Sequence, residues 1–434
     1  MHYESKELKL LDDRVTDRLG TITLDDIPDP QPRCPARLEG TTPILERLWR
    51  VALSDAESNI RETASGAFFA AAANPNWKSV IFTRDISYSG VLGLNWLYPD
   101  IMRSGLDATR REHWSLGFLI PPGYVVPAID VPWEESGLDY RAFMARYQTG
   151  PWSRRTDDVI WLWAAHDLLS QGTSTRDDWE WLYDWGAKYF ERFYRPFFDP
   201  ADGLYRGQAS FVDVTWPGRG KGPGGYPAHY TLEDCLMLKA ASTNALYLKG
   251  LSVMGETAER LGHADEARGW MERAQRLREA IQNNLVRPDG RIAYYKDRHG
   301  ELSPHSDALG TALCVLHDAV DAATGAASLR RYPKTPFGIP TFDPFFPTDS
   351  VYHNNSTWPF VDALFISAAE KAFEESQAAY NLALLARVVK PDGFHELVNI
   401  RSGAVIGSGH QLWSAAAFIN ACRRAGLKVR GVAP

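Results

Sequence analysis

The stretch that decides the fold is YHNNSTWPFVDALFISAAEKA, which runs from Tyr352 to Ala372. Polar and aromatic side chains come first, and the chain then enters an apolar helical pattern directly. The same arrangement recurs near the C-terminus, where DGFHELVNIRSGAVIGSGHQLWSAAAF begins at Asp392. Amides, a histidine and a tryptophan at the start of a buried helix suit a sugar site, because stacking and directed hydrogen bonds hold a polyol.

Composition narrows the class of protein. The 434 residues are 44% hydrophobic and 23% charged, with a formal net charge of -7, which is typical of an ordinary globular protein. The scattered lysines and arginines argue against a nucleic-acid surface.

Neither a signal-peptide pattern nor a membrane-length apolar run is present, so we predict a cytoplasmic protein without a membrane partner. An export signal trimmed from the chain would leave no trace here, and the oligomeric state is not predicted.

The cysteines and histidines do not predict a metal site. The four cysteines are far apart and match no metal-ligand spacing; three of them lie in apolar helical patterns, where cysteine is a small buried hydrophobe. Three histidines, His353, His395 and His410, lack helical or zinc-finger spacing, so hydrogen bonding to a sugar or a carboxylate is favoured over metal binding. We therefore expect neither a metal nor a cofactor.

Helical periodicity dominates the chain. About eleven helical patterns alternate with short turns and with long aromatic loops rich in Gly and Pro, and convincing strands are few. Such an alternation predicts a single all-α toroid of helical hairpins over residues 41–434, with inner helices apolar all round and long loops gathered at one end. Residues 1–40 are expected to form an irregular arm. A helical-repeat solenoid would require a fixed period, and no 34- or 40-residue motif recurs.

The first candidate constellation is the adjacent pair Arg84-Asp85 within FTRD. Together these residues can offer a fork of donors and two acceptor oxygens to neighbouring hydroxyls of one sugar ring. The alternative is an aspartate that helps to start a helix beside an arginine in a surface ion pair. The aromatic neighbours Trp77 and Tyr88 favour the sugar interpretation.

The second constellation is Thr156-Asp157-Asp158, directly before the apolar run VIWLWAA. The two acids can be a helix cap and a first-turn charge. Alternatively, a carboxyl at the rim of an apolar site has its charged form disfavoured by desolvation, and the raised pKa suits a general acid.

The third constellation is Gly393-Phe394-His395-Glu396, with Asn399 behind it. Glu396 would be the partner carboxylate, because acid/base hydrolysis of a glycoside needs two such groups on opposite faces of the scissile bond. The alternative is a loop glutamate that satisfies backbone amides.

Together these motifs resemble the six-hairpin glycosidases, a superfamily that includes amylo-1,6-glucosidase, glucosidase I, trehalase and rhamnosidase-like families. The resemblance covers about Phe82 to Ala425, and the order of the motifs is more specific than any one of them. The motifs are FTRDISYS, TDDVIWLWAA, GQASFVDVTWP, TNALYLKGL, YHNNSTWPFVDALF and the terminal GFHEL with GAVIGSGHQLWSAAAF.

The resemblance implies an (α/α)6 toroid and an inverting, exo-acting hydrolase of small or oligomeric α-glycosides. Asp157 looks like the general acid, with Asp158 as its rival because the Gly-x-Asp-Asp-x-Pro-Arg form is missing, and Glu396 looks like the general base. Arg84 and Asp85 would bind the innermost sugar, with walls supplied by loops 120–135 and 199–230. Further residues implied at the same mouth are Asp213, Trp216, His353, Asn354, Asn355, Trp358, His410 and Gln411.

Two other classes of function remain open. A sugar epimerase or isomerase on the same toroid would need a histidine as the base for proton transfer. A non-catalytic carbohydrate-binding protein would keep the aromatic residues and tolerate loss of Asp157 or Glu396. A phosphorylase is a lesser variant, since only Arg401 lies near Glu396 in the sequence.

Overall fold

The computed structural model describes residues 1–63, 66–74, 80–111, 117–119, 156–193, 197–213, 224–230 and 232–432. Helices are the main elements of these ranges, and short π-helical turns follow α2 and α6. The helices are α1 (Pro43–Ser58), α2 (Thr83–Ser89), α3 (Asn95–Leu97), α4 (Pro99–Arg111), α5 (Asp157–Gln171), α6 (Arg176–Lys188), α7 (Leu232–Met237), α8 (Ala241–Leu261), α9 (Ala264–Asn284), α10 (Ala308–Leu316), α11 (Ala322–Arg331), α12 (Pro359–Phe373), α13 (Ala378–Ala386) and α14 (Leu412–Arg424).

The strands are short and pair antiparallel. They are β1 (Tyr3–Glu4), β2 (Leu8–Leu10), β3 (Arg14–Asp17), β4 (Gly20–Thr23), β5 (Arg37–Glu39), β6 (Ile60–Thr63), β7 (Gly66–Phe69), β8 (Val80–Phe82), β9 (Gly117–Leu119), β10 (Phe198–Asp199), β11 (Leu204–Tyr205), β12 (Lys239–Ala240), β13 (Tyr295–Lys296), β14 (Ser306–Asp307), β15 (Phe342–Asp343), β16 (Ser356–Thr357), β17 (Val389–Lys390), β18 (Gly393–Phe394), β19 (Leu397–Asn399), β20 (Val405–Ile406) and β21 (Lys428–Arg430).

Apolar residues at spacings of three and four predict two tandem helices with a tight turn at Leu261-Gly262-His263, and the structure has this hairpin as α8 and α9. Gly262 ends α8 with a φ of 85°, a left-handed conformation that glycine adopts without a steric penalty. Helix α9 buries one stripe that includes Trp270, Leu277 and Ile281 and exposes the rest, whereas α8 is buried on nearly all sides. The amphipathic helix therefore lies outside the apolar one, as the hydrophobic pattern predicts.

Six helices pack against one another in chain order. Helix α2 contacts α5, α5 contacts α8, and the series continues through α10 and α12 to α14, which contacts α2 again. These helices are apolar all round; residues 308–315 of α10 and 359–369 of α12 are all buried. Helices α1, α4, α6, α9, α11 and α13 pack against members of this series. The described part of the chain is thus rich in helices, with one series of buried helices and a second set that packs against it.

The N-terminal segment differs from the expected irregular arm. Strands β1 to β4 form a four-stranded antiparallel sheet in sequential order. Leu8, Leu10 and Val15 alternate with polar residues and are buried in the main core, where β2 packs against α13. The prediction of irregular structure was wrong. Strands this short give only a weak alternation of apolar and polar residues, and the surface that buries their apolar side chains belongs to helices distant in the sequence. No described helix combines the length and the hydropathy of a membrane span.

Candidate active site

Arg84 lies at the start of α2, directly after strand β8, and its side chain is buried among carboxylates. Its Nη1 is 3.7 Å from Oδ1 of Asp213, and its Nε is 3.9 Å from Oδ2 of Asp85. Burial lowers the pKa of the guanidinium, but the charges of Asp213, Asp157 and Asp85 outweigh burial and raise this pKa above its ordinary value. The structure therefore brings together the first residues of α2 and α5 and the Asp213 segment around one cation.

Asp157 is the first residue of α5, and its side chain is completely buried. Its charge acts on Arg84 and on the hydroxyl of Tyr88. A carboxylate at a helix N-terminus is stabilised by the unpaired backbone N–H groups and by the helix dipole. Asp157 thus lies in the same cluster as Arg84, as the resemblance implies, although deeper than the rim position expected for it.

Glu396 lies in the short connection between β18 and β19, only 8% exposed. The hydroxyl of Tyr352 donates a hydrogen bond of 2.8 Å to Oε1, and the backbone N–H of Ser408 donates one of 3.1 Å to Oε2. Burial raises the pKa of the Glu396 carboxyl; the hydrogen bonds from Tyr352 and Ser408 lower this pKa, and the charges of Asp85 and Asp213 raise it further. Glu396 therefore lies within electrostatic range of Asp85 and Asp213, two acids of the Arg84 cluster.

Asp213 connects the Arg84 cluster to His353. The backbone N–H of Asp213 donates to Nε2 of His353 over 3.1 Å, while Oδ2 lies 3.7 Å from the same nitrogen. Because Nε2 accepts a hydrogen bond, the proton of the neutral ring is on Nδ1. His353 itself is buried and stacks on Trp358 with ring centroids 5.4 Å apart.

Two of the aromatic residues predicted to contact the sugar are buried beneath the surface of the site. Tyr88 and Trp358 are both buried, at 0% and 1% exposure. The Tyr88 hydroxyl is 2.7 Å from Oγ of Ser210, and Trp358 Nε1 donates to the carbonyl of Tyr352 over 3.2 Å. These contacts support the wall of the site, and direct stacking on a sugar stays a prediction for both residues.

The two adjacent asparagines hold a loop. Asn354 Nδ2 donates to the carbonyls of Phe346 and Thr348, and its Oδ1 accepts from the N–H of Phe346. Asn355 Nδ2 donates to the carbonyls of Thr348 and Ser350. Both side chains are buried, so the contacts that the structure shows are with the 346–350 loop, and direct contact with a substrate stays a prediction.

His410 and Gln411 join the C-terminal loop to the start of the helical region. Nδ1 of His410 is 2.6 Å from Oδ1 of Asp55 on α1, and the side chain of His410 is 38% exposed. The N–H of Gln411 donates to the carbonyl of Phe394 over 2.9 Å, which holds the loop that carries Glu396. Sequence reasoning missed Asp55, because nothing near residue 55 indicates a partner more than 300 positions away.

Tyr352 was also missed as a member of the site, although it opens the stretch that suggested a sugar site. The sequence shows a tyrosine shortly before a buried helix, which indicates a hydroxyl near the site. Only the fold shows that this hydroxyl donates to Glu396. The described residues do not include Trp77, Trp216, loop 120–135 or positions 214–223 of loop 199–230. The same is true of the Asp158 side chain, so the choice between Asp157 and Asp158 stays open.

Part of the sequence matches a known family model, and solved structures are similar to the chain. Residues 224–414 match the family model of the mannosylglycerate hydrolase MGH1-like glycoside hydrolase domain, a little under half of the chain. No curated protein matches the sequence. A GH63 mannosylglycerate hydrolase from Thermus thermophilus, in complex with Tris and D-glycerate, is 15% identical and has a TM-score of 0.62; the alignment covers 86% of this chain and 99% of that chain.

Two further solved structures share the fold. The neutral trehalase of Saccharomyces cerevisiae is 12% identical with a TM-score of 0.53, covering 84% of this chain and 76% of that one. A protein described as a sialidase is 13% identical with a TM-score of 0.62; the alignment covers 90% of this chain but only 34% of that one. This chain therefore corresponds to about a third of the sialidase.

The described helices share their fold with solved glycoside hydrolases, and residues 224–414 match the model of a glycoside hydrolase domain. These similarities agree with the resemblance to the six-hairpin glycosidases that the motifs predict. The predicted resemblance is confirmed at this level.

Proposed function

We propose that the protein is an inverting, exo-acting glycoside hydrolase that cleaves a small or oligomeric α-glycoside. The single observation that carries this proposal is the Glu396 carboxylate, which is buried, oriented by Tyr352 and Ser408, and subject to the charges of Asp85 and Asp213 in the Arg84 cluster. The match to an MGH1-like glycoside hydrolase domain supports the reaction class.

We also infer that the helices form an (α/α)6 toroid. The cyclic order of contacts among α2, α5, α8, α10, α12 and α14 supports this arrangement, since the last helix of the series packs against the first. Arg84, Asp85 and Asp157 occupy the first turns of α2 and α5. The site would then lie at the N-terminal ends of the inner helices, where helix dipoles favour carboxylates.

In the proposed reaction, Glu396 accepts a proton from a water molecule that attacks the anomeric carbon. Asp157 donates a proton to the leaving oxygen from the opposite face, so the anomeric configuration inverts. Because Arg84 and Asp157 interact through their charges, the guanidinium would stabilise the carboxylate that remains on Asp157 after proton donation. Asp85 and Arg84 would bind hydroxyls of the innermost sugar.

The test is proton NMR of the anomeric signals during incubation with a panel of disaccharides and aryl glycosides. Mannosylglycerate belongs in the panel because of the name of the matching family. Cleavage of one glycoside with inversion, lost in Glu396→Gln and kept in Glu272→Gln, supports the proposal. Glu272 is an exposed glutamate on α9, so its variant is a matched control.

Two results would contradict the proposal. Retention of configuration would exclude the single-displacement mechanism proposed for Glu396 and Asp157. Exchange of ring protons with solvent, without cleavage of any glycoside, would favour the sugar epimerase.

A further inference from the structure

Each oxygen of the Glu396 carboxylate has its own hydrogen-bond donor. The hydroxyl of Tyr352 donates a hydrogen bond of 2.8 Å to Oε1, and the N–H of Ser408 donates one of 3.1 Å to Oε2. Donors on both oxygens fix the plane of the carboxylate. They also favour its ionised form, because an ionised carboxylate is the better acceptor.

Tyr352 is itself held in place. Its carbonyl accepts hydrogen bonds from Nε1 of Trp358 and from Oγ of Ser356. Its ring meets those of His353 and Trp358 edge to face, with centroids 4.7 and 5.1 Å away. The phenol therefore reaches Glu396 from a rigid, packed position.

The phenol of Tyr352 also remains a donor. Burial, followed by the charge of Glu396, raises the pKa of this phenol well above its ordinary value. The hydroxyl therefore keeps its proton while Glu396 titrates, and the phenol donates the hydrogen bond to the ionised carboxylate.

We propose that Tyr352 is a positioning residue, which orients the Glu396 carboxylate toward the attacking water and favours its ionised form through the donated hydrogen bond. This inference rests on the proposed function, in which Glu396 is the general base. It differs from a packing role, because removing the hydroxyl should change the titration of Glu396 while the ring stays in place.

The chain offers a closely matched control in Tyr183. The Tyr183 hydroxyl donates to the carboxylate of Glu266, in a contact between α6 and α9 that lies outside the site. Tyr352→Phe and Tyr183→Phe therefore remove the same kind of hydrogen bond, a phenol to a glutamate, at two places. Circular dichroism and thermal unfolding show whether each variant is folded.

The first readout needs no substrate. The carboxyl carbon of Glu396 is followed by NMR in protein labelled with 13C-glutamate, with Glu396→Gln assigning the signal. We expect Glu396 to titrate at higher pH in Tyr352→Phe than in the wild type, and at unchanged pH in Tyr183→Phe. An identical titration in the wild type and Tyr352→Phe would overturn the proposal.

The second readout uses the glycoside found by the NMR panel. We expect kcat of Tyr352→Phe to fall roughly ten- to hundredfold, the effect of losing one hydrogen bond to a charged group, with KM within about twofold and the acid limb of the pH profile moved upward. An unchanged kcat and profile would refute the positioning role. Full activity of Glu396→Gln would instead refute the proposed function, while the titration result for Tyr352 would stand.

Discussion

Asp55 on helix α1 and His410 in the C-terminal loop are in contact, with Oδ1 and Nδ1 2.6 Å apart, and they form an ion pair when His410 is protonated. The same carboxylate accepts a hydrogen bond of 2.7 Å from the N–H of Phe394. Pairing with Asp55 raises the pKa of His410. One buried carboxylate therefore holds both ends of the loop that carries Glu396.

Replacing this carboxylate should affect both stability and activity. Asp55→Asn keeps an acceptor for Phe394 but removes the charge opposite His410, so we expect the free energy of unfolding to fall by about 2 to 4 kcal/mol and kcat to fall as the loop loosens. Urea unfolding and steady-state kinetics measure the two effects. Asp392→Asn is the control. Its carboxylate also pairs with a histidine, His395, but the Asp392 side chain is 58% exposed. Equal effects of the two variants would contradict this role of Asp55.

Gly407 is expected to be essential for the position of Glu396. Its φ is 84°, and a Cβ there would lie 2.5 Å from Oε2 of Glu396. Gly407→Ala should therefore displace the carboxylate and lower kcat at least tenfold, besides a backbone cost of about 1 kcal/mol.

Gly262 supplies the control for this substitution. Its φ is 85°, and a Cβ added there would have no atom within 4 Å. Gly262→Ala should show a similar loss of stability with normal kinetics. If both alanine variants keep full activity, the close approach of Gly407 to Glu396 has no catalytic importance.

The pH dependence of kcat/KM should report on Glu396. A general base must be ionised, and burial raises the pKa of this carboxyl above 4.5, the ordinary glutamate value. Activity should therefore be lost as pH falls through a value above 4.5. Asp213→Asn removes a charge that raises this pKa, so the acid limb should move to lower pH, opposite to the shift expected for Tyr352→Phe.

The exposed Asp265 on α9 provides the comparison for this measurement. Asp265→Asn should leave the acid limb of the profile in place. An upward shift in Asp213→Asn, or no shift, would contradict the assignment of the limb to Glu396.

Asp362 in the first turn of α12 should make stability depend on pH. Burial raises its pKa from 3.8 to about 7, although Ile339 N and Thr357 Oγ1 donate to its Oδ1. Between about pH 4 and 7 the folded protein keeps a proton that the unfolded chain has lost, so this group lowers the free energy of unfolding as pH rises.

Asp362→Asn preserves an acceptor for both donors and removes the titration. We expect the variant to be more stable than the wild type at pH 8 by on the order of 3 kcal/mol, and to differ much less at pH 4. Urea unfolding at the two pH values measures this. A stability difference that is the same at both would show that folding does not raise the pKa of Asp362.

Local patterns in the sequence predicted several parts of this protein. The spacing of apolar residues indicated the α8–α9 hairpin with its break at Gly262, because helix periodicity and a left-handed glycine are properties of neighbouring residues. The motifs at Arg84, Asp157 and Glu396 also indicated a carbohydrate-active protein, since these residue types suit sugar chemistry in any fold that brings them together.

Only the tertiary structure decided how these residues act on one another. Arg84 is surrounded by acids from three segments, Tyr352 donates to Glu396 across 44 positions, and Asp55 meets His410 across 355. The tertiary structure also showed that Trp358 is buried within the wall of the site. The physical reason is that side-chain periodicity is a local property, whereas ion pairs, burial and pKa depend on groups that become neighbours only when distant helices pack.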